Sequence, residues 1–238
     1  MMFLVRPSKI FLFERLSRLL KNSRGEVGLD AGSANFKNRW MFRTSRYYGL
    51  DKNLDFLKGG VEKYDDDKTF GIYADMTRLD GLPESSVDVV VSTNTIHQLD
   101  LEARKLALVQ LCRLTAPTGH FFCETRLDRN FSQLLEIIKS RFQETRIIYY
   151  CNPISRFYEW IFERDRYLYS VARQRPVRLF AWFLSRFEYL TCFWRVGNRH
   201  ALIIGSQKLT SRRAQAFNLS SFPLKESRIY DMILSSTH

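Results

Sequence analysis

Short, nearly continuous apolar runs recur along the first two thirds of the chain, and each closes on a small or acidic residue. They are Val27 to Asp30, Tyr47 to Asp51, Phe70 to Asp75, Val87 to Ser92 and His120 to Glu124. Runs this short and this uniformly apolar fit strands buried on both faces of a parallel sheet. Between and around them the period changes. Ser8 to Lys21 places Ile10, Phe11, Phe13, Leu16, Leu19 and Leu20 at helical spacing with Arg15, Arg18 and Lys21 between them, so an amphipathic helix is expected, with Ser8 as its cap. Leu101, Leu108, Leu111 and Leu114 share one helical face, and Pro117 with Gly119 is expected to close that helix. Phe131 to Phe142 repeats the helical pattern, Arg146 to Tyr150 reads as a sixth strand, and Ala201 to Gly205 as a seventh. Strand alternating with helix predicts an α/β fold, a doubly wound, mostly parallel sheet of seven strands.

The segment from Pro153 to Asn198 separates the last two strands and is too long to be a bare connection, so it is expected to carry helices of its own, broken at Pro176. The expected organisation is an N-terminal helix over 1–24, a core over 25–152 and 199–210, an insert over 153–198, and a polar, Ser-rich tail over 211–238 draped on the surface.

Charge adds a partner class. The chain holds 37 Lys and Arg against 25 Asp and Glu, a formal net charge of +12, which suits an anionic partner: a phosphate-bearing substrate, a membrane surface or nucleic acid. The four cysteines (Cys112, Cys123, Cys151, Cys192) form no C-x-x-C pair and no histidines are spaced beside them as ligands, so neither a metal site nor a disulfide framework is expected. The apolar start, Met1 to Val5, is too short for a signal-peptide core, and the longest apolar stretch, Val177 to Val196, is interrupted by Arg178, Arg186, Glu188 and Arg195. A cytoplasmic protein, associated with a membrane surface at most, is the expectation.

The candidate chemistry sits at the strand ends, because a parallel sheet binds ligands outside the carboxyl ends of its strands where the topology switches. The first strand ends Leu29-Asp30-Ala31-Gly32, a glycine where backbone can approach a ligand. Asp51 ends the second strand 19 residues after Gly32, the spacing at which a carboxylate takes the two hydroxyls of a ribose. Asp75 ends the third and can accept from an adenine amine.

The order of these segments, with Leu82-Pro83-Glu84-Ser85-Ser86-Val87-Asp88-Val89-Val90-Val91-Ser92 leading into the fourth strand and Leu114-Thr115-Ala116-Pro117-Thr118-Gly119-His120-Phe121 into the fifth, resembles the class I S-adenosylmethionine-dependent methyltransferases over roughly residues 25 to 150. The resemblance implies a Rossmann-like sheet with a helical insert before the last strand, and S-adenosyl-L-methionine as cofactor. It places Asp30, with Ala31 and Gly32, beside the methionine moiety, Asp51 on the ribose, and Asp75 with Met76 about the adenine. Thr93, Asn94 and His97 would face the reactive end. One departure stands out: where the family usually has Gly-x-Gly-x-Gly, this chain has Gly32-Ser33-Ala34-Asn35-Phe36. Either the cofactor binds with altered packing or the site is degenerate.

Methyl transfer from a sulfonium is an in-line displacement that needs alignment first, and a base when the nucleophile is a hydroxyl or a protonated amine. His97 and Glu124 are the candidates. The expected acceptor is a small molecule, a lipid or a glycan-linked metabolite. No Asn-Pro-Pro-Tyr follows the fourth strand, which argues against the family's amino-methylating DNA enzymes. The insert combines many aromatics with eight arginines and no lysine, a mixture suited to an anionic membrane surface, to an acceptor pocket, or to a helical pair packed on the sheet. Two rival readings are a methyltransferase-fold binding protein without activity and, ranked lower, an RNA methyltransferase.

Overall fold

Val87, Val89, Val90 and Val91 are wholly buried, as are Leu29 on one neighbouring strand and Phe121 on the other, so this part of the chain has helices or loops on both faces of its sheet. The computed structural model describes residues 5–164, 166–209 and 215–233. Met1 to Leu4 of the apolar start, and the side chains of Arg166 and Tyr167 in the insert, lie outside the described residues.

The chain divides into two compact units, one of residues 20–125, 129–146 and 203–238, the other of residues 1–19, 126–128 and 147–202. The larger carries most of the sheet, while strand residues 147–150 and 200–202 fall in the smaller. The strands are β1 (Arg24–Ala31), β2 (Arg43–Asp51), β3 (Thr69–Tyr73), β4 (Val87–Ser92), β5 (Thr115–Arg126), β6 (Phe142–Tyr150), β7 (His200–Lys208), β8 (Leu224–Glu226) and β9 (Ile229–Asp231), in the order β6-β7-β5-β4-β1-β2-β3-β9-β8. β1 pairs in parallel with both β2 and β4, and the sequence order reverses there. The β2–β3, β3–β9 and β4–β5 pairs are parallel as well.

Seven strands were expected and nine are present among the described residues. The tail supplies the other two, so its expected draped course is corrected: β9 pairs with β3, and β8 turns back antiparallel on β9. Arg228 between them donates to the carbonyls of Val61, Tyr64 and Asp66, closing the C-terminal end of a helix, α2 (Leu54–Lys63), that the sequence pattern did not announce. The helix α3 (Leu101–Leu114), capped by Asp100 through the Ala103 N–H at 2.9 Å, buries the expected Leu108, Leu111 and Leu114. It runs straight into β5 at Thr115, with a register shift opposite Val87 and Val89 absorbing Pro117 and Gly119. After β5 comes α4 (Phe131–Lys139), whose Phe131, Leu134 and Ile138 are buried.

The smaller unit is mostly helical and includes most of α1 (Pro7–Asn22). Ile10, Phe11, Leu12 and Leu16 are buried. Ile10 packs with Tyr158 and Ala181, and the Phe11 ring meets Tyr189 edge-on at 4.8 Å. Glu14 accepts from Arg186 at 2.6 Å. The N-terminal helix and the insert, read separately from the sequence, are therefore one unit, and the apolar face of α1 is spent inside it. The insert folds as α5 (Pro153–Glu163), α6 (Arg166–Ala172), α7 (Arg175–Ser185) and α8 (Glu188–Thr191). The expected break falls just before Pro176, which lies in the first turn of α7, where its missing N–H costs nothing. Asn152 caps α5, and the buried Glu188 carboxylate accepts from the Cys151 and Asn152 N–H groups at 3.0 and 3.1 Å and from the Ser155 hydroxyl. Burial pushes that carboxyl up to about 7 against these hydrogen bonds.

Candidate functional site

The strand order reverses between β1 and β4, so a crevice is expected beyond the carboxyl ends of these two strands. The turn leaving β1 is held by Gly32 and Ser33, whose N–H groups both donate to the Leu50 carbonyl at 2.8 and 3.0 Å. Gly32 has φ +74°, and a Cβ there would run into the Thr95 side chain, so glycine is required twice over. Ala34 and Phe36 have φ of 47° and 58°. All three positions at which the glycine pattern is anticipated are thus left-handed, although two of them carry side chains. Each non-glycine costs roughly 1–2 kcal/mol in that conformation.

Two contacts offset this cost. The Ala34 N–H donates to Asp51 Oδ2 at 2.9 Å. The Phe36 ring is fully buried, edge-on to Tyr47 at 5.3 Å and packed over Gly49 and Gly60. Burying a phenylalanine side chain contributes about 1.5–3 kcal/mol. Phe36 therefore occupies space between β2 and α2 that two glycines leave open.

Asp30 is wholly buried. Its Oδ1 accepts from Asn38 Nδ2 at 3.0 Å and its Oδ2 from the Tyr47 hydroxyl at 2.8 Å. Burial raises its carboxyl to about 6, with both hydrogen bonds acting the other way. Asn38 Nδ2 also reaches Thr93 Oγ1 at 3.0 Å, so Asp30, Asn38 and Thr93 tie the loop after β1 to the end of β4. Ala31, beside Asp30, is buried, and its carbonyl accepts from Ser92 at 3.0 Å.

Asp51 is partly exposed. Besides Ala34, it takes the Asn53 N–H on Oδ1 at 2.9 Å, leaving lone pairs on both oxygens. Asp75 is exposed and caps its own turn through the Thr77 N–H and hydroxyl at 2.9 and 2.8 Å, while Met76 beside it is buried. The two segments meet through the Ala74 N–H and the Asp51 carbonyl, 3.2 Å apart.

Past β4, Asn94 has φ 60° and donates its N–H to Glu124 Oε2 at 2.8 Å. The same oxygen lies 3.5 Å from His97 Nδ1. Glu124 is fully buried on β5, and His97 lies in a single 3₁₀ turn, Ile96–Gln98. Arg104 of α3 braces that turn, donating to the His97 carbonyl at 2.8 Å and the Leu99 carbonyl at 2.7 Å. The structure thus joins Asp30 to Thr93, Gly32 to Thr95, Ala34 to Asp51, and Asn94 and His97 to Glu124. Asp75 stands with its own turn. Asn38, Thr95 and Arg104 were not anticipated, and no local sequence pattern marks them. Among the described residues no group of three or more His, Cys, Asp or Glu side chains is placed to hold a metal ion.

Residues 27–123 match the family model described as a methyltransferase domain. No curated protein sequence matches the chain. Among solved structures, the chain resembles a TehB-like SAM-dependent methyltransferase from Corynebacterium glutamicum at TM-score 0.54 and 17% identity, covering 82% of this chain and 87% of that one. It resembles the N-methyltransferase NodS from Bradyrhizobium japonicum, in complex with S-adenosyl-L-homocysteine, at 0.57 and 12%, covering 86% and 89%. It also resembles a phosphoethanolamine N-methyltransferase from Haemonchus contortus at 0.54 and 15%, covering 86% of this chain and 52% of that one.

Proposed function

We propose that the chain transfers the methyl group of S-adenosyl-L-methionine to a small-molecule, lipid or glycan-linked acceptor, met at a membrane surface; the match to the methyltransferase-domain model over residues 27–123 and the likeness of its fold to S-adenosylmethionine-dependent methyltransferases support this reading. The observation that carries this reading is the turn after β1. Its backbone keeps left-handed geometry at residues 32, 34 and 36 in spite of two side chains, and it is fastened to Asp51. Asp51 is thereby held at the turn with lone pairs left on both of its oxygens.

The residues fit the cofactor. Gly32 turns the chain at the switch point with Thr95 packed against it, and Asp51 has lone pairs left for a ribose diol. Asp75 and Met76 flank the adenine, while Ala31, Thr93 and Asn94 line the methionine end. Asp30, buried and bonded to Asn38 and Tyr47, acts by shaping the turn. When bound, the cofactor supplies an electrophilic methyl on a sulfonium, and the protein's task is to align the acceptor with it. His97 takes the acceptor's proton on Nε2. Glu124 orients it by facing Nδ1 and is a positioning residue.

Calorimetric titration with S-adenosylmethionine tests the reading. The intact chain is expected to bind, and Asp51→Ala to weaken binding by about tenfold or more, the loss of a charged hydrogen-bond acceptor. An intact, folded chain that gives no heat with either S-adenosylmethionine or S-adenosylhomocysteine would overturn it.

A further inference from the structure

Twelve of the seventeen large apolar side chains left exposed among the described residues fall between Ile154 and Val196, in the helical unit. They are not scattered. On α5 the buried side is Tyr158 with Phe162, packed against Ala181, Val177 and Leu184 of α7. The opposite side of α5 presents Ile154, Phe157 and Trp160, the last two 63% and 60% exposed. The side of α7 away from its own buried residues presents Leu179, Phe180, Trp182 and Phe183, which stand three and four residues apart on one face. After α8 the segment 193–196 adds Phe193 at 71%, Trp194 at 65% and Val196 at 91% exposed. This much exposed aromatic area within one helical unit marks an interaction site.

Among the described side chains the exposed charge around it is positive. Arg156, Arg164, Arg173, Arg175 and Arg195 are exposed, whereas Glu188 is buried and Glu159 is engaged by Ser8. Among the described side chains of 153–198 there is no exposed carboxylate. Two of the tryptophans carry a guanidinium over their rings, Arg164 over Trp160 at 5.8 Å and Arg186 over Trp182 at 4.7 Å. Aromatic rings paired with cations suit the depth at which acyl chains give way to phosphate headgroups.

Length decides the orientation. α5 and α7 have 11 residues each, about 16 Å at the usual rise, half of what crossing the hydrocarbon core takes. No helix of the described residues is long and apolar enough to cross a membrane. We infer that the helical unit is a docking module for an anionic lipid bilayer: α5, α7 and the 193–196 segment lie in the plane of the interface, with aromatic side chains entering the acyl boundary and arginines holding lipid phosphates. The inference deepens the membrane-surface reading above but stands on the helical unit alone.

Vesicle co-sedimentation with the full chain tests it. The chain is expected to sediment with vesicles of phosphatidylcholine and phosphatidylglycerol at low salt, about tenfold more than with phosphatidylcholine alone, and to be released by high salt. Trp160→Ser, Trp182→Ser and Trp194→Ser together are expected to lower binding to the anionic vesicles by about tenfold or more. The exposed Arg156→Gln, Arg164→Gln and Arg175→Gln set is expected to do the same and to flatten the salt dependence. Unchanged S-adenosylmethionine titration of both variants shows that the larger unit stays folded, and it reports on the methyltransferase reading separately. An intact chain left in the supernatant with anionic vesicles at low salt overturns the inference. So does a lipid-free dimer that the tryptophan variant turns into monomer, since a second copy would then cover this face.

Discussion

His97 Nδ1 lies 3.5 Å from Glu124 Oε2, the same oxygen that takes the Asn94 N–H at 2.8 Å. A buried carboxylate facing Nδ1 favours the tautomer with the proton on that nitrogen and leaves Nε2 bare, the form a proton acceptor needs. Glu124→Gln is expected to mix the two tautomers, which nitrogen-15 shifts of the His97 ring would show. His97→Gln is expected to leave cofactor affinity unchanged while methyl transfer falls roughly 10²–10⁴-fold. Equal losses in both quantities would make His97 a structural residue.

Gly60 and Phe36 form the second test. Glycine inside an exposed helix normally costs about 1 kcal/mol against alanine, so Gly60→Ala would be stabilising if helix propensity alone decided. A Cβ at 60 comes within 2.7 Å of the Phe36 ring, however, and overpacking costs typically 1–3 kcal/mol. Urea unfolding of Gly60→Ala is therefore expected to show a net loss, and the same substitution in a Phe36→Leu background a smaller one. Ala34→Gly, relieving a left-handed alanine while keeping its N–H on Asp51, is expected to gain roughly 0.5–1 kcal/mol.

These two cases show what was legible in the sequence. The buried strands could be read because their pattern is local: Val27 to Leu29 and Val89 to Val91 are apolar without a polar interruption, and the acids that close the runs fall near strand ends by register. α2 was missed because Gly59-Gly60 lowers its helix propensity, and the reason for Gly60 is an aromatic ring 24 residues earlier. β8 and β9 are three residues each, and Leu224, Lys225 and Glu226 are all exposed, so only pairing, of β9 with β3 and of β8 with β9, makes strands of them. The helix at 7–22 was plain from its period, but nothing in that period says its apolar face meets Tyr158 and Tyr189 of the insert. In the site, the carboxylates were visible as strand ends. Asn38, which joins Asp30 to Thr93, is a loop amide whose role exists only in three dimensions.

Asp30 gives a pH-dependent prediction with a definite sign. Its carboxyl is raised by burial from 3.8 to about 6 in the folded chain, so between these values the folded state holds more protons than the unfolded one. Stability from this group is then greatest at the acid end and is lost as pH rises from about 4 to about 6, by up to roughly 3 kcal/mol. Asp30→Asn cannot titrate, yet its amide can still accept from Asn38 and meet the Tyr47 hydroxyl. The difference in unfolding free energy between wild type and variant is expected to shift in the variant's favour across that window. A difference that stays flat with pH would show that the Asn38 and Tyr47 hydrogen bonds outweigh burial.

Arg228 makes the tail part of the fold. Its guanidinium donates to the Tyr64 carbonyl at 3.1 Å and the Val61 carbonyl at 3.1 Å, and also to the Asp66 carbonyl. Val61 and Tyr64 leave their carbonyls at the end of α2, where a cation also meets the negative end of the helix dipole. Only a planar fork reaches several such acceptors at once, so lysine is no substitute. Arg228→Lys and Arg228→Ala are both expected to destabilise the larger unit by about 1–3 kcal/mol, the cost of leaving buried acceptors without partners. Amide hydrogen exchange is expected to quicken first in the last turn of α2 and in β9, whose Ile229 pairs with Gly71 of β3. The loss should leave the turn at residues 32–36 protected, because that turn is fastened through Leu50 and Asp51 and not through the tail. Exchange that quickens equally in both places would mean that β8 and β9 hold the whole sheet together, with Arg228 as their anchor.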